Sequence, residues 1–266
     1  MTFFTTRPLW VLILVLLVLT ALAMMGPLLI RRRVALEELR TNNEVAGFKF
    51  ATIGVLYAVL LAFVVIITWE RFNAAEEALA TEAGAAVTLY RLSTGLDQAT
   101  GASIRKQTTA YLKSVLEDDW PAMAAGHWSG ATTHALNVLY GTIVQYRPAD
   151  LHDADVQQDL LREADKLTEA RRERLGMAGG TVPNAIWFVL FLGAVLTISF
   201  TFFFGTQNVI TQCLMTGVLA ALIFAAILVI LAIDRPFTGA VVVPTESIRT
   251  VLQEFEAAAG EAELKP

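Results

Sequence analysis

LGMAGGTVPNAIWFVLFLGAVLTISFTFFFGTQNVITQCLMTGVLAALIFAAILVILAI, residues 175–233, is a run of 59 residues without one charged side chain. Two shorter uncharged runs lie upstream, at 8–30 and 51–69. A bilayer's hydrocarbon core is about 30 Å thick, and about 20 apolar residues in a helix cross it. The long run has room for two spans and a tight turn. The sequence therefore predicts four transmembrane helices, at about 8–30, 49–69, 185–204 and 211–233.

The composition agrees with a membrane protein and excludes several function classes. Apolar residues make up 55% of the chain and charged residues 17%, and the mean hydropathy is +0.56. The net charge of −5 provides no basic surface for nucleic acid. The single cysteine, Cys213, can form neither an internal disulfide nor a multi-cysteine metal site. Arg31, Arg32 and Arg33 follow the first apolar run instead of preceding it, so that run is not a signal peptide.

Between the second and third spans lies a polar insert, residues 70–184, which predicts a helical domain. The second span continues without a break into 72–92, and further helices are predicted at 100–117, 131–146 and 150–175. Asp118 and Asp119 are interpreted as a helix stop before Pro121. A tail, 234–266, carries a predicted helix at 245–258, and only 239–243 has an extended pattern. The predicted fold is an all-α membrane protein with two transmembrane hairpins, 1–69 and 185–233, separated by the helical insert.

Positive charge in short loops favours the cytoplasmic side of a membrane. Arg7 alone precedes the first span, whereas three arginines follow it. This asymmetry predicts a multi-pass protein of the cell (inner) membrane, with the 31–49 connector in the cytoplasm and the insert and both termini outside.

The deep interior of all four spans carries no charge, which argues against a proton relay, a voltage sensor or an ion-coupled transporter. A stripe of small or apolar residues follows one face of the second span: Gly54, Ala58, Leu61, Val65 and Thr68. One interpretation is the lining of a pore with an apolar gate, and the other is a helix–helix contact through small residues.

Polar and charged residues at the span ends are candidates for the pore mouths: Asn43, Glu44, Glu70 and Asp234. Repeated around an oligomer, such residues form rings, and acidic rings favour cations. In the other interpretation, these groups only mark the ends of the spans. The chain contains no nucleophile motif and no phosphate-binding loop. His127 and His134, seven residues apart, are interpreted as surface or core histidines and not as a metal site, because Gly130 between them disfavours one continuous helix. No enzyme activity, cofactor or metal is predicted.

Several segments are similar to a known family. Residues 43–48, 53–65 and 69–72 in and around the second span, 118–123 in the insert, and 234–239 after the last span resemble the hallmarks of prokaryotic bestrophin-like membrane proteins. The resemblance covers nearly the whole chain. It implies a homo-oligomer, pentameric as in bestrophins, that conducts anions and has a gate on the second span. Two features depart from that pattern: no series of bulky apolar residues facing one way is identified in the second span, and the positive connector after the first span predicts an orientation opposite to that of bestrophins. The acidic residues Glu44, Glu70 and Asp234 are compatible with cations.

Three functional hypotheses follow. The first is an oligomeric ion channel whose second span lines the pore, with a lipid bilayer and inorganic ions as its partners. Here Leu61→Ala and Glu70→Gln are predicted to alter conductance or selectivity. The second is a membrane-anchored interaction or sensor protein without conductance. The third, an intramembrane enzyme, lacks the inward polar cluster that it would need.

Overall fold

The computed structural model describes residues 9–41 and 43–263, and within these ranges the chain is helical with no β-strand. The helices are α1 (Leu9–Arg31), α2 (Leu36–Thr41), α3 (Asn43–Leu92), α4 (Gln98–Ser114), α5 (Trp120–Ala124), α6 (Gly130–Gln145), α7 (Leu151–Gly176), α8 (Asn184–Thr201), α9 (Val209–Ile233) and α10 (Glu246–Glu263). A 3₁₀ turn at Ser93–Gly95 follows α3, and a π-helix at Val115–Asp119 follows α4. The predicted helices of the insert are all present, close to their predicted bounds.

Four helices of the described chain, α1, α3, α8 and α9, are long and apolar enough to cross a membrane. They correspond to the four predicted spans. The second of them does not end at the membrane boundary, because α3 is one helix of 50 residues. At 1.5 Å per residue it is about 75 Å long, more than twice the thickness of a hydrocarbon core.

The chain divides into two compact units. The membrane unit contains the described residues of Met1–Glu70 and Gly180–Val241, and the helical unit contains those of Arg71–Gly179 and Val242–Pro266. The first segment of the helical unit therefore begins at Arg71 and ends at Gly179. The tail after residue 241 does not stand alone, because α10 belongs to the helical unit.

In the membrane unit, α1 packs most extensively against α9. Close approach depends on small residues: a Cβ atom at Gly217 would lie 2.8 Å from the side chain of Met24, and one at Gly26 would overlap the ring of Phe202. Pro27 lies within α1, one turn from its end. Glycine at helix contacts of this kind is typical of membrane proteins, in which packing replaces the hydrophobic effect as the main attraction.

The helical unit has an ordinary soluble core with well-capped helices. Asp97, Ser129 and Asp150 accept backbone N–H groups at the starts of α4, α6 and α7. The amphipathic α10 buries Ile248 and Phe255, and the ring of Phe255 stacks on Tyr90 with centroids 4.0 Å apart.

Two local predictions are wrong. Asp118 and Asp119 do not stop a helix, since the π-helix passes directly into α5 and the chain turns only at Gly126, where φ is 84°. Residues 239–243 are not a strand either. Gly239 has a φ of 106°, a backbone conformation that glycine adopts readily, and it turns the chain there.

Candidate pore helix and its ends

One face of α3 is buried inside its own membrane unit. Tyr57, Leu61, Val64 and Thr68, spaced four, three and four residues apart, belong to this inner face. The Tyr57 hydroxyl donates a hydrogen bond of 2.8 Å to the carbonyl oxygen of Leu190 in α8. A Cβ atom at Gly193 would lie 2.5 Å from the Tyr57 ring, so this glycine lets the two helices meet.

The predicted stripe overlaps this inner face instead of lying on an open surface. Leu61 is 8% exposed and Thr68 is fully buried, with its hydroxyl bonded to the Val64 carbonyl oxygen at 2.6 Å. Gly54 and Val65 are half-buried, and only Ala58 is exposed. For Leu61 and Thr68, this burial favours the helix-contact interpretation, because both side chains are already covered by the same subunit.

The opposite side of α3 is uncovered in the subunit. This outer face consists of Thr52, Val55, Val59, Phe63, Ile66 and Glu70. Val55 is 64% exposed and Phe63 is 61% exposed, with Val59 midway between them at i, i+4 and i+8. Sequence reasoning missed this series of bulky apolar residues on one side. Its spacing was visible, but a helix that is apolar all round shows similar series on every face.

The predicted mouth residues at the start of α3 differ from one another. The Asn43 amide donates to the Gly205 carbonyl oxygen at 2.8 Å and accepts from the Gly205 N–H at 2.9 Å. Asn43 therefore ties α3 to the turn between α8 and α9. Its neighbour Glu44 is exposed.

The other two predicted mouth residues, Glu70 and Asp234, also differ: one is exposed and the other is buried. Glu70 is exposed, two turns beyond Phe63 on the outer face. Asp234 is buried just after α9, where its Oδ1 atom accepts the N–H groups of Thr181 and Val182, each at 2.8 Å. The two backbone donors hold this carboxylate against the segment that leads into α8, and its place at a pore mouth stays a prediction.

The sequence analysis also missed a buried charge cluster in the helical unit. Glu82, Asp119 and Arg174 are fully buried, and Arg171 nearly so. Nε of Arg174 donates to Glu82 at 2.6 Å, and its Nη2 reaches Asp119 at 3.2 Å. Arg171 binds both oxygens of Asp119, at 3.0 and 3.2 Å.

Tyr111 completes this cluster by donating its hydroxyl to Glu82 at 2.5 Å. Burial raises the pKa of Tyr111 well above its ordinary value, and the Glu82 charge adds to the effect, so the hydroxyl stays protonated. For Arg174, burial favours a lower pKa, but the Glu82 carboxylate outweighs it and the pKa is raised. Two acids and two bases thus balance in a dry core. The available signal was Glu82 itself, a lone acid among the apolar residues of one helix face.

In the described parts of the chain, no group of three or more His, Cys, Asp or Glu side chains is arranged to hold a metal ion. His127 bonds instead through Nδ1 to the Ala122 carbonyl oxygen, at 2.7 Å.

The fold and the long α3 define a class: helical multi-pass membrane proteins whose second span continues into a helical unit. A family profile described as a Bestrophin-like domain matches residues 11–248. The chain belongs to this family, and the resemblance found in its sequence is confirmed. No curated protein matches the chain.

Solved structures share the fold at low sequence identity. A bacterial bestrophin homolog from Klebsiella pneumoniae carrying one substitution is similar with a TM-score of 0.70 and 17% identity, over 92% of this chain and 98% of that chain. Another crystal structure of the Klebsiella pneumoniae homolog is similar with a TM-score of 0.69 and 19% identity, over 93% of this chain and 98% of that chain. A structure described as a membrane protein is similar with a TM-score of 0.71 and 18% identity, again over 93% of this chain and 98% of that chain.

Proposed function

We propose that this chain is the subunit of a homo-oligomeric ion channel and that the outer face of α3 lines the pore. The observation that carries the proposal is the exposed series Val55, Val59 and Phe63, which no described part of the subunit covers. In a ring of subunits, bulky apolar side chains on one face would form a narrow constriction that closes by losing its water. Membership of the Bestrophin-like family supports a ring, with five subunits as the first number to test.

The proposed pore face differs from the stripe first predicted. Of that stripe, Ala58 remains a candidate at the margin of the outer face, and Gly54 and Val65 lie between the two faces. Leu61 and Thr68 are better placed to hold α3 against its neighbours than to meet ions.

The permeant ion in this proposal is a cation. Glu44 and Glu70 are exposed near the two ends of the membrane-crossing part of α3. Repeated around a ring, each would form a circle of negative charge that concentrates cations and repels anions. The family resemblance favours anions, so the reversal potential decides between the two.

Flux through liposomes containing the purified protein tests the proposal, with sodium and chloride each replaced in turn by an impermeant ion. Val59→Ala is expected to widen the constriction and to raise conductance. Leu61→Ala is the matched control. It removes the same kind of apolar bulk only two residues along the helix, but Leu61 is buried inside the subunit. Equal currents from protein-free liposomes would refute the channel. A conductance change in Leu61→Ala but not in Val59→Ala would refute the pore face.

The proposed location is the inner membrane, with the connector in the cytoplasm and the helical unit outside. The other side also carries positive charge near span ends, at Arg71, Arg171, Arg172, Arg174 and Arg235, so this orientation needs a direct test. Cysteine labelling in intact cells tests it: Cys213 is free and buried, and it would be replaced by Ala to remove background. In that background, Glu254→Cys should react from outside and Arg33→Cys only after the cells are permeabilised; the reverse pattern would contradict the orientation.

A second candidate, a membrane-anchored binding protein, is favoured by one feature of the helical unit. An open groove of about 940 Å³ lies beside α4 and α10, and its lining includes the basic residues Arg105, Lys106 and Lys113 and the aromatic residues Tyr90 and Phe255. This function requires no conductance, so the flux assay separates the two candidates.

A further inference from the structure

The membrane unit contains a cavity with a polar floor and apolar walls. It has a volume of about 270 Å³ near the turn between α8 and α9. Thr201, Gln212 and Thr216 are buried and contribute hydroxyl and amide groups, whereas Phe50, Phe204 and Leu219 form apolar walls. The hydroxyl oxygens of Thr201 and Thr216 are 3.3 Å apart, and each retains lone pairs that can accept a further hydrogen bond.

The cavity continues as a groove along α9. This groove, of about 430 Å³, shares Met215 and Leu219 with the cavity, and the rest of its wall consists of Thr211, Leu214, Val218 and Leu222. Leu214, Val218 and Leu222 are exposed on the span, spaced four residues apart. The two spaces together form a largely apolar cavity with a few polar groups, adjoining a shallow apolar groove along the exposed side of α9.

Positive charge lies beside the cavity. Nη2 of Arg31 donates to the carbonyl oxygen of Thr206, a cavity residue, at 2.5 Å. A Cβ atom at Gly205 would lie 2.7 Å from the backbone nitrogen of Arg40, so the connector packs directly against this turn. Arg32 and Arg33 follow Arg31 and are exposed. From residue 31 to 49 the connector holds five basic residues against three acidic ones, Glu37, Glu38 and Glu44.

We propose that this site binds one anionic phospholipid. Its phosphate pairs with Arg32 and Arg33, a hydroxyl of its headgroup donates to the Thr201 or Thr216 oxygen, and one acyl chain follows the groove along α9. Basic pockets between transmembrane helices recognise anionic headgroups in this way. A soluble anion would leave the apolar groove empty, and a lipid without net charge would leave the arginines without a compensating charge. The site is independent of ion conduction.

Full-length protein in detergent, titrated with phosphatidylglycerol or phosphatidylcholine, tests the proposal through lipid retention in native mass spectrometry and through the melting temperature. The wild type is expected to retain phosphatidylglycerol preferentially. The double variant Arg32→Gln, Arg33→Gln should lose about 25-fold in affinity for it, at about fivefold for each basic residue near an anionic group. The charge-matched control is Arg91→Gln, Arg172→Gln, which removes two exposed arginines of the helical unit and should leave retention unchanged.

A second variant tests the groove without touching charge. Leu219→Phe narrows the passage shared by cavity and groove, and it should abolish the preference for long over short acyl chains while the preference for phosphatidylglycerol persists. Equal retention of both lipids by the wild type, or an unaffected Arg32→Gln, Arg33→Gln variant, would overturn the proposal. So would full competition by glycerol 3-phosphate, which would show a site for a soluble phosphate.

Discussion

Removing Arg174 from the buried cluster is expected to destabilise the protein strongly. In Arg174→Met, Glu82 would keep only the Tyr111 hydroxyl, while Asp119 would retain Arg171 and the Ser129 N–H at 2.9 Å. An uncompensated buried charge costs about 3–5 kcal/mol. At about 2–4 °C per kcal/mol, the melting temperature should fall by about 6–20 °C.

The cluster also predicts an order among the arginines. Arg171→Met should cost less, about 1–3 kcal/mol, because Asp119 keeps Arg174 and Ser129 as partners. Arg172→Met, at an exposed neighbouring position, should stay within about 0.5 kcal/mol of the wild type.

Differential scanning fluorimetry of the purified protein at matched scan rates measures this series. The double variant Glu82→Met, Arg174→Met removes both charges, so it should recover part of the loss and show coupling of about 1 kcal/mol or more. The reasoning is refuted if Arg174→Met has the same melting temperature as Arg172→Met. It is also refuted if the stability losses of Glu82→Met and Arg174→Met add without coupling in the double variant.

Three further outcomes are expected. Asn43→Ala breaks both hydrogen bonds to Gly205 and should lower stability by about 1–3 kcal/mol, whereas Asn43→Asp, which keeps the acceptor, should lose less; equal losses would contradict the paired bonds. Gly193→Ala should lower the melting temperature because its Cβ would lie 2.5 Å from the Tyr57 ring, and Tyr57→Leu in the same chain should relieve part of the loss; additive losses would argue against this contact. The Tyr146 hydroxyl, with the Ala149 N–H, lowers the pKa of Asp153, so this contribution is complete above about pH 4 and is lost as the pH falls through the lowered value. The melting difference between Tyr146→Phe and the wild type should therefore shrink in acid, and a constant difference down to pH 2 would contradict it.

Residues with a purely local signal were interpreted well from the sequence. The start of α7 directly after Asp150 agrees with the helix predicted at 150–175, because capping chemistry needs only a side chain and the next turn of backbone. Asp119 was misread because its neighbours along the chain, Asp118 and Pro121, are typical of a helix end. Its true partners, Arg171 and Arg174, lie more than 50 residues away. The backbone partners of Asn43 and Asp234 likewise leave no local signal, because they belong to other segments of the chain.

Four spans, a helical insert and the family could be read from the order of amino acids, because a helix long and apolar enough to cross a bilayer satisfies its own backbone hydrogen bonds and needs no partner. The side of α3 that faces its neighbours could not. Where every face of a helix is apolar, hydropathy carries no directional information, and only the packing of Tyr57 on Gly193 and of Leu61 in the core distinguishes the inner face from the outer one. The same holds for the buried charges, whose partners become neighbours only when the helices are assembled.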